Sequence, residues 1–301
     1  MNRKFVTYGF IGLLAGSFAI ALSVYTKAQQ PSRTHNDSSE TMHHLGSEHD
    51  MNEMPGTVDS SDDNSHSQHT EKVSQAKLSI SETVAPNQAT PLTIEVQDTN
   101  GQPIGNFETF QEKLMHLIVV SDDFQVFNHV HPDYQNDGRF TVQTIFPQPG
   151  HYTLFSDYKP ANQSEAVSVL NVTVPGTPPP TPSVNFDRNK TIGATQATLN
   201  MPSTIQAGQE VTVTFNLKDA VTSQAVTDLQ PYLGEKGHLV ILRQSSSLTR
   251  ADYIHAHALQ NTPEGQVSFM TQFPEPGHYK LWGQFDRNGK IFVADFWVNV
   301  Q

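Results

Sequence analysis

The chain has 301 residues, which leaves room for two ordinary domains with extensions. It contains no cysteine, and this excludes disulfide frameworks, thiolate zinc sites, iron–sulfur clusters, a thiol nucleophile and a blue-copper centre. The net charge of −12 argues against nucleic acid as a partner, because phosphate binding depends on clustered Lys and Arg.

Residues 1–28 have the pattern of a targeting segment. A positively charged start is followed by an almost wholly apolar run, Phe5 to Tyr25, which predicts a hydrophobic helix. Thr26 and Ala28 fit the small-residue pattern of a signal-peptide cleavage site, whereas the apolar run also reaches the ~20 residues that span a bilayer. The segment is therefore a cleaved signal peptide or an uncleaved membrane anchor. Either way, we expect the remainder to be exported to the periplasm or the outer face of the cytoplasmic membrane of a bacterial envelope.

Residues 29–76 are polar and acidic, with nine acidic side chains between positions 31 and 75. Such a stretch cannot bury enough apolar surface to offset the entropy of ordering, so it predicts a disordered tether. Imidazole and thioether groups alternate within it, and thioether sulfur favours Cu(I). The candidate auxiliary copper ligands are Met42, His43, His44, His49, Met51 and Met54. The alternative is a polar spacer without a metal.

A longer pattern then occurs twice. It consists of a histidine that begins an apolar run, a His-x-His element, and a Phe-Pro-x-Pro-Gly-His-Tyr element. The first copy contains His116, His129-Val130-His131 and Phe146 to Tyr152, and the second contains His238, His255-Ala256-His257 and Phe273 to Tyr279. The repetition predicts two domains of one kind, over 77–174 and 191–301. A proline-rich linker over 175–190 separates them.

Each copy has the pattern of short strands with frequent turns, and helical periodicity is absent. In the first copy the predicted strands are 77–83, 92–98, 115–121, 125–131, 139–146, 151–158 and 166–174. In the second they are 194–201, 210–218, 238–243, 252–259, 265–273, 278–285 and 290–300. About seven strands in about 100 residues predict an all-β fold of two tandem immunoglobulin-like or cupredoxin-like sandwiches. Tyr152 and Tyr279 fit a tyrosine corner, and His151 and His278 beside them are expected to face solvent.

The repeated histidines are the candidate metal ligands. Residues two apart on a strand project from one face, so both histidines of each His-x-His element point the same way. A third imidazole then comes from the neighbouring apolar strand. The expected ligands are His116, His129 and His131 in the first domain and His238, His255 and His257 in the second. Three imidazoles suit Cu(II) or Zn(II). The alternative is a hydrogen-bonded set of structural histidines.

The segments Gly237-His238, His255-Ala256-His257 and Phe273 to Tyr279 resemble exported bacterial β-sandwich modules of the YtkA-like and CopC-like cupredoxin type. Residues 108–174 resemble a variant of the same module. The resemblance implies a role in envelope copper or heavy-metal handling. The chain departs from the CopC-like pattern because no ligand histidine begins its first domain.

These patterns together predict an exported, membrane-tethered protein that binds copper, or zinc, as a chaperone or buffer. Its partners would be the metal ion, the membrane through the N-terminal segment, and an envelope metal-handling protein. No nucleophile elbow or phosphate loop is present, so the chain is not expected to be an enzyme. The alternative function is a structural or adhesive envelope module whose histidines serve packing.

Overall fold

The computed structural model describes residues 74–301, apart from the side chains of His255 and His257. All of these residues belong to one compact unit, His66–Gln301. Within residues 74–301, no helix has the length and apolar character needed to cross a membrane. The predicted N-terminal hydrophobic helix and most of the predicted tether lie outside the described residues.

The first repeat is a sandwich of two four-stranded sheets. Its strands are β1 (Gln75–Ile80), β2 (Ala89–Gln97), β3 (Met115–Ser121), β4 (Phe127–Val130), β5 (Asp133–Tyr134), β6 (Arg139–Ile145), β7 (Gly150–Tyr158) and β8 (Ala166–Val174). One sheet has the order β1-β2-β6-β5 and the other has the order β4-β3-β7-β8. Neighbouring strands in both sheets are antiparallel.

The second repeat has the same arrangement, with two additional short strands and a strand that connects its two sheets. Its elements are β9 (Asn189–Ile192), β10 (Thr195–Asn200), β11 (Glu210–Asp219), β12 (Leu229–Gln230), β13 (His238–Arg243), a short 3-10 helix (Arg250–Asp252), β14 (Tyr253–Ala258), β15 (Gln266–Gln272), β16 (Gly277–Arg287) and β17 (Lys290–Val300). The order is β12-β16-β13-β14-β15-β11-β10-β9, and β17 also pairs with β16. Strand β14 joins the two sheets because it pairs with β13 and then with β15.

Pro132 explains why the first repeat lacks this continuous connection. The chain that corresponds to β14 is divided there into β4 and β5, and Pro132 lies between them where the second repeat has Ala258. Proline has no N–H to donate to a strand ladder, so strands commonly end beside it. The predicted strand 125–131 is correspondingly shorter, and His131 follows β4 instead of lying within it.

The sandwich cores contain the alternate side chains of the strongly apolar strands. In β3, Met115, Leu117 and Val119 lie in the core of the first repeat. In β13, Leu239 and Ile241 lie in the core of the second. The predicted tyrosine corners are present, because the Tyr152 hydroxyl donates to the Gln148 carbonyl and the Tyr279 hydroxyl to the Glu275 carbonyl. The prediction of an all-β chain with two tandem immunoglobulin-like sandwiches is confirmed.

The two repeats pack against each other through the outer faces of the β3 and β13 sheets. A third apolar cluster joins them, formed by Ile118, Val120, Phe124 and Phe155 of the first repeat with Val240, Leu242, Tyr253, Trp282 and Trp297 of the second. Strands β3 and β13 are thus buried on both faces, which explains their unbroken apolar sequences. This contact between repeats places His116, near the start of β3, beside His238, at the start of β13.

The aromatic contacts across this interface are reciprocal. Trp282 of β16 stacks on Phe127 of the first repeat, with ring centroids 4.7 Å apart. Phe155, at the matching position of β7, stacks on Tyr253 of the second repeat at 5.1 Å. The interface therefore resembles a two-fold symmetric dimer contact formed within a single chain.

Candidate metal centre

Three histidines of the first repeat meet beside the interface. His116 is the second residue of β3, on the face that is turned towards the second repeat, and it is 1% exposed. His129 lies on β4, where its backbone is paired with Ile118. His131 follows β4 directly. One nitrogen from each ring can be chosen so that all three lie within 4.8 Å of one another, so these three histidines form a cluster.

Two outer contacts orient the rings of His116 and His129. His116 Nε2 lies 3.2 Å from the backbone carbonyl oxygen of Phe110, and His129 Nδ1 lies 3.1 Å from Oε1 of Gln284. With the Gln284 amide in this orientation both partners are accepting oxygens, and the two outer nitrogens carry N–H. His116 Nδ1 and His129 Nε2, which are 3.0 Å apart, are then the nitrogens that face each other inside the cluster.

His131 supplies the third nitrogen. Its Nε2 is buried and has no hydrogen-bond partner among the described residues. Burial, together with the nearby charge of Lys113, lowers the pKa of His131 to about 4. The ring is therefore neutral at pH 7, which is the form that binds metals.

The second repeat completes the surroundings of the trio. The ring of His238 stacks on that of His116 with centroids 5.8 Å apart, and it lies 4.9 Å from the ring of His129. Gln284 is opposite His238 in the pairing of β13 with β16, and it reaches across the interface to His129. His238, which the sequence assigns to a cluster of its own, is thus in contact with the cluster of the first repeat.

The second predicted trio is described only in part. The His255 backbone is paired with Val240, as the His129 backbone is paired with Ile118. The side chains of His255 and His257 lie outside the described residues. The position that corresponds to Gln284 is Asp157, a buried carboxylate that accepts a hydrogen bond from the Tyr253 hydroxyl at 3.0 Å. Burial, followed by the charge of Asp157, raises the pKa of Tyr253 well above its ordinary value.

Two further groups of residues figure in the sequence predictions. His151 and His278 are exposed, as predicted, and His151 Nδ1 lies 3.0 Å from the Thr173 hydroxyl. The tether residues Met42, His43, His44, His49, Met51 and Met54 lie outside the described residues. Sequence reasoning missed Phe110 and Gln284, because only the packing of the repeats brings them to the trio. The sequence does show that Gln284 and Asp157 occupy the same position in the two repeats, and this marks both as polar residues of interest.

Comparisons with known proteins identify the family but no activity. No curated protein matches. Similar folds include a tetra-tandem repeat from the extending region of a large adhesion protein, at 10% identity over 76% of this chain and 50% of that one, with a TM-score of 0.26. Invasin, a bacterial integrin-binding protein, is 12% identical over 74% of this chain and 39% of its own, with a TM-score of 0.22.

A two-domain fibronectin type-III segment of chicken tenascin is 10% identical over 74% of this chain and 97% of that one, with a TM-score of 0.22. Scores at this level support no functional argument. A family described as a domain of unknown function (DUF8832) matches residues 71–176 and again residues 190–301. The chain belongs to this family and carries two copies of its domain.

Proposed function

We propose that the protein binds copper, or a similar divalent metal such as zinc, at the centre formed by His116, His129 and His131. Its role would be to hold or deliver the ion, without turnover of a substrate. The exported, membrane-tethered location inferred from the N-terminal segment is part of the proposal. The proposal also includes a relation to YtkA-like and CopC-like modules and a partner among envelope metal-handling proteins.

One observation carries the proposal: one nitrogen from each of the three rings lies within 4.8 Å of the others, and the two nearest, His116 Nδ1 and His129 Nε2, are 3.0 Å apart. Metal–nitrogen bonds of 2.0–2.1 Å in a tetrahedron place the nitrogens about 3.3 Å apart, which is close to this spacing. A shared proton would satisfy two nitrogens only, whereas a metal ion also satisfies the buried Nε2 of His131.

The donor set fits the proposed ions. Three neutral imidazoles are the ligands of open zinc sites and are well suited to Cu(II), with one position left for water or a further donor. The outer N–H of each bonded histidine donates to oxygen, the arrangement that orients metal-binding imidazoles in known sites. The nearby positive charge of Lys113 opposes the binding of a cation, so the affinity reflects the balance between these effects.

The direct test is equilibrium dialysis of the full-length protein against Cu(II), Zn(II) and Ni(II). We expect the His129→Ala/His131→Ala variant to lose one bound ion, because two of three ligands are absent. At free metal of about 100 times Kd, binding should stabilise the wild type by about 2.7 kcal/mol, and this gain should disappear in the variant. The matched control is His151→Ala/His278→Ala, which removes two exposed imidazoles and should retain the ion.

The same variants separate the alternatives. Equal metal content in the wild type and in the His129→Ala/His131→Ala variant would leave a structural or adhesive module with packing histidines. Ions held by the tether are the same in both proteins and cancel in the comparison. A His255→Ala/His257→Ala variant tests whether His238, His255 and His257 form a second centre, which stays a prediction. Substitution of the tether histidines and methionines tests the auxiliary ligands in the same way.

A further inference from the structure

A cavity of about 290 Å³ lies between the two repeats, next to the trio. Its lining includes Glu112 from the first repeat, Glu235 and His238 from the second, and the small side chains of Ala256 and Ala258 on β14. Glu112 is exposed to solvent and Glu235 is half-buried. The cavity therefore extends from two carboxylates at the surface to a buried imidazole.

Two matching loops bring the carboxylates to the cavity. One turns between the bridged residues Phe110 and Lys113, and the other between Tyr232 and Glu235. The turn of the second loop includes Gly234, which has a φ of +81° and faces the first loop. A Cβ built on Gly234 would lie 3.7 Å from Oε1 of Glu112, so the two loops are in close contact. Each repeat thus contributes one carboxylate to the same opening.

His238 connects this cavity to the trio. It is 4% exposed, lines the cavity, and stacks on His116 on its other side. Its ring is also 4.9 Å from that of His129. Because imidazole binds Cu(II) and Zn(II) directly, His238 can bind a cation that enters the cavity before the cation reaches the trio.

We propose that this cavity is the access site of the metal centre, in which Glu112 and Glu235 attract the cation and His238 binds it transiently before transfer to the trio. The proposal rests on the proposed function and adds a route to it. Carboxylates that line a cleft raise the local concentration of cations and the rate of association, and this effect weakens as ionic strength rises. The ligand class is a divalent transition-metal ion without a bulky chelator, because the cavity is small and a buried imidazole lines it.

The test is stopped-flow mixing of the full-length protein with Cu(II) at low and high salt. The kinetic phase that disappears in the His129→Ala/His131→Ala variant reports filling of the trio. In a Glu112→Gln/Glu235→Gln variant we expect this phase to slow by roughly 10-fold at low salt and to lose most of its salt dependence. Dissociation should slow in parallel, so that the equilibrium affinity of the trio stays close to that of the wild type.

Two further variants and one control complete the test. His238→Ala should slow the same phase, and Ala258→Leu, which fills the cavity, should slow both association and dissociation. Glu82→Gln/Glu210→Gln removes the same charge from exposed positions outside the cavity lining and should leave the rates unchanged. A trio phase that is insensitive to the cavity variants, or that becomes faster in His238→Ala, would overturn the access site while leaving the proposed function intact. If no phase depends on the trio, the proposed function itself fails.

Discussion

The two repeats have the same pattern of strand pairing, but they carry different polar residues at corresponding positions. His116 of the first repeat is paired with Asp157, and His238 of the second is paired with Gln284. Thr153 of the first repeat corresponds to Lys280 of the second. The shared apolar positions specify the sandwich and its contact with the other copy. The polar differences give the two copies different hydrogen-bond partners, so exchanging these residues between repeats tests what each of them does.

The largest expected effect concerns the aromatic contact between repeats. Trp282 stacks on Phe127 and also lies parallel to Phe124, with centroids 6.1 Å apart, whereas Phe155 stacks on Tyr253. Trp282→Ala should lower the free energy of unfolding by about 3–5 kcal/mol, because it leaves a cavity in a buried interface. Phe155→Ala should cost less, since a smaller ring is removed. Chemical denaturation measures both.

Phe186→Ala is the control for this comparison, because Phe186 is 44% exposed and should change stability by less than about 0.5 kcal/mol. An equally small effect of Trp282→Ala would show that the repeats do not depend on this contact.

The next effect concerns the ion pair between Lys280 and Asp295, two positions at which the first repeat has uncharged residues. The buried Lys280 donates to Asp295, which also accepts from Lys190 at 2.8 Å. The corresponding residues of the first repeat are Thr153 and Val169. Asp295→Val should destabilise by about 3 kcal/mol, because it leaves the Lys280 ammonium buried without its carboxylate. Adding Lys280→Thr, which restores the pair of the first repeat, should recover most of the loss.

The same ion pair predicts a dependence on pH. Burial alone would raise the pKa of Asp295, but hydrogen bonds from Lys190 and Lys280 outweigh it and hold the pKa below the ordinary value of 3.8. The contribution of Asp295 to stability is therefore present above about pH 4 and is lost as the pH falls through the lowered pKa. The free energy of unfolding can be measured by denaturation at pH values from about 5 to about 2. Its decrease with falling pH should be smaller in the double variant than in the wild type. Parallel curves would contradict the assignment.

The fold could be predicted from the sequence because each strand carries its own pattern. Alternation in Val211-Thr212-Val213-Thr214-Phe215 predicts a strand with one buried face, and β11 has this burial. The trio could be predicted because His116 and His129 recur at matched places in the repeats. The division at Pro132 was also readable from the sequence, since proline interrupts strand pairing, although the predicted strand continued to His131.

The packing of one repeat on the other could not be predicted. The unbroken apolar run from Leu117 to Val120 indicates burial on both faces but does not identify what covers the outer face. As a result, the sequence did not indicate that His238 contacts the first trio, and it gave no role to Gln284. Contacts between distant parts of a chain depend on surface complementarity, which single-strand periodicity does not encode.

A smaller effect is expected from the amide that orients His129. Gln284→Leu removes the Oε1 acceptor, so the His129 ring loses its fixed tautomer and the Cu(II) affinity should fall by roughly 10–100-fold. Gln284→Glu keeps an oxygen acceptor and should retain the affinity or increase it. Isothermal titration of the full-length protein measures both. Equal affinities for the wild type and the Leu variant would show that the contact across the interface does not orient the ligand.

The smallest effect concerns Pro132, which separates β4 from β5 where the second repeat has the continuous strand β14. Pro132→Ala should lower stability by about 0.4–1 kcal/mol, because the unfolded chain gains conformational freedom that folding must remove. The new N–H could extend the pairing between β4 and β5, as in β14, and this would reduce the loss. Hydrogen exchange at Asp133 and Tyr134 distinguishes the two contributions, since a continuous strand would protect their amides. A variant more stable than the wild type would mean that Pro132 strains the first repeat. In that case the interruption between β4 and β5 would hold His131 in its position beside the other two histidines. The variant should then bind Cu(II) more weakly although it is more stable.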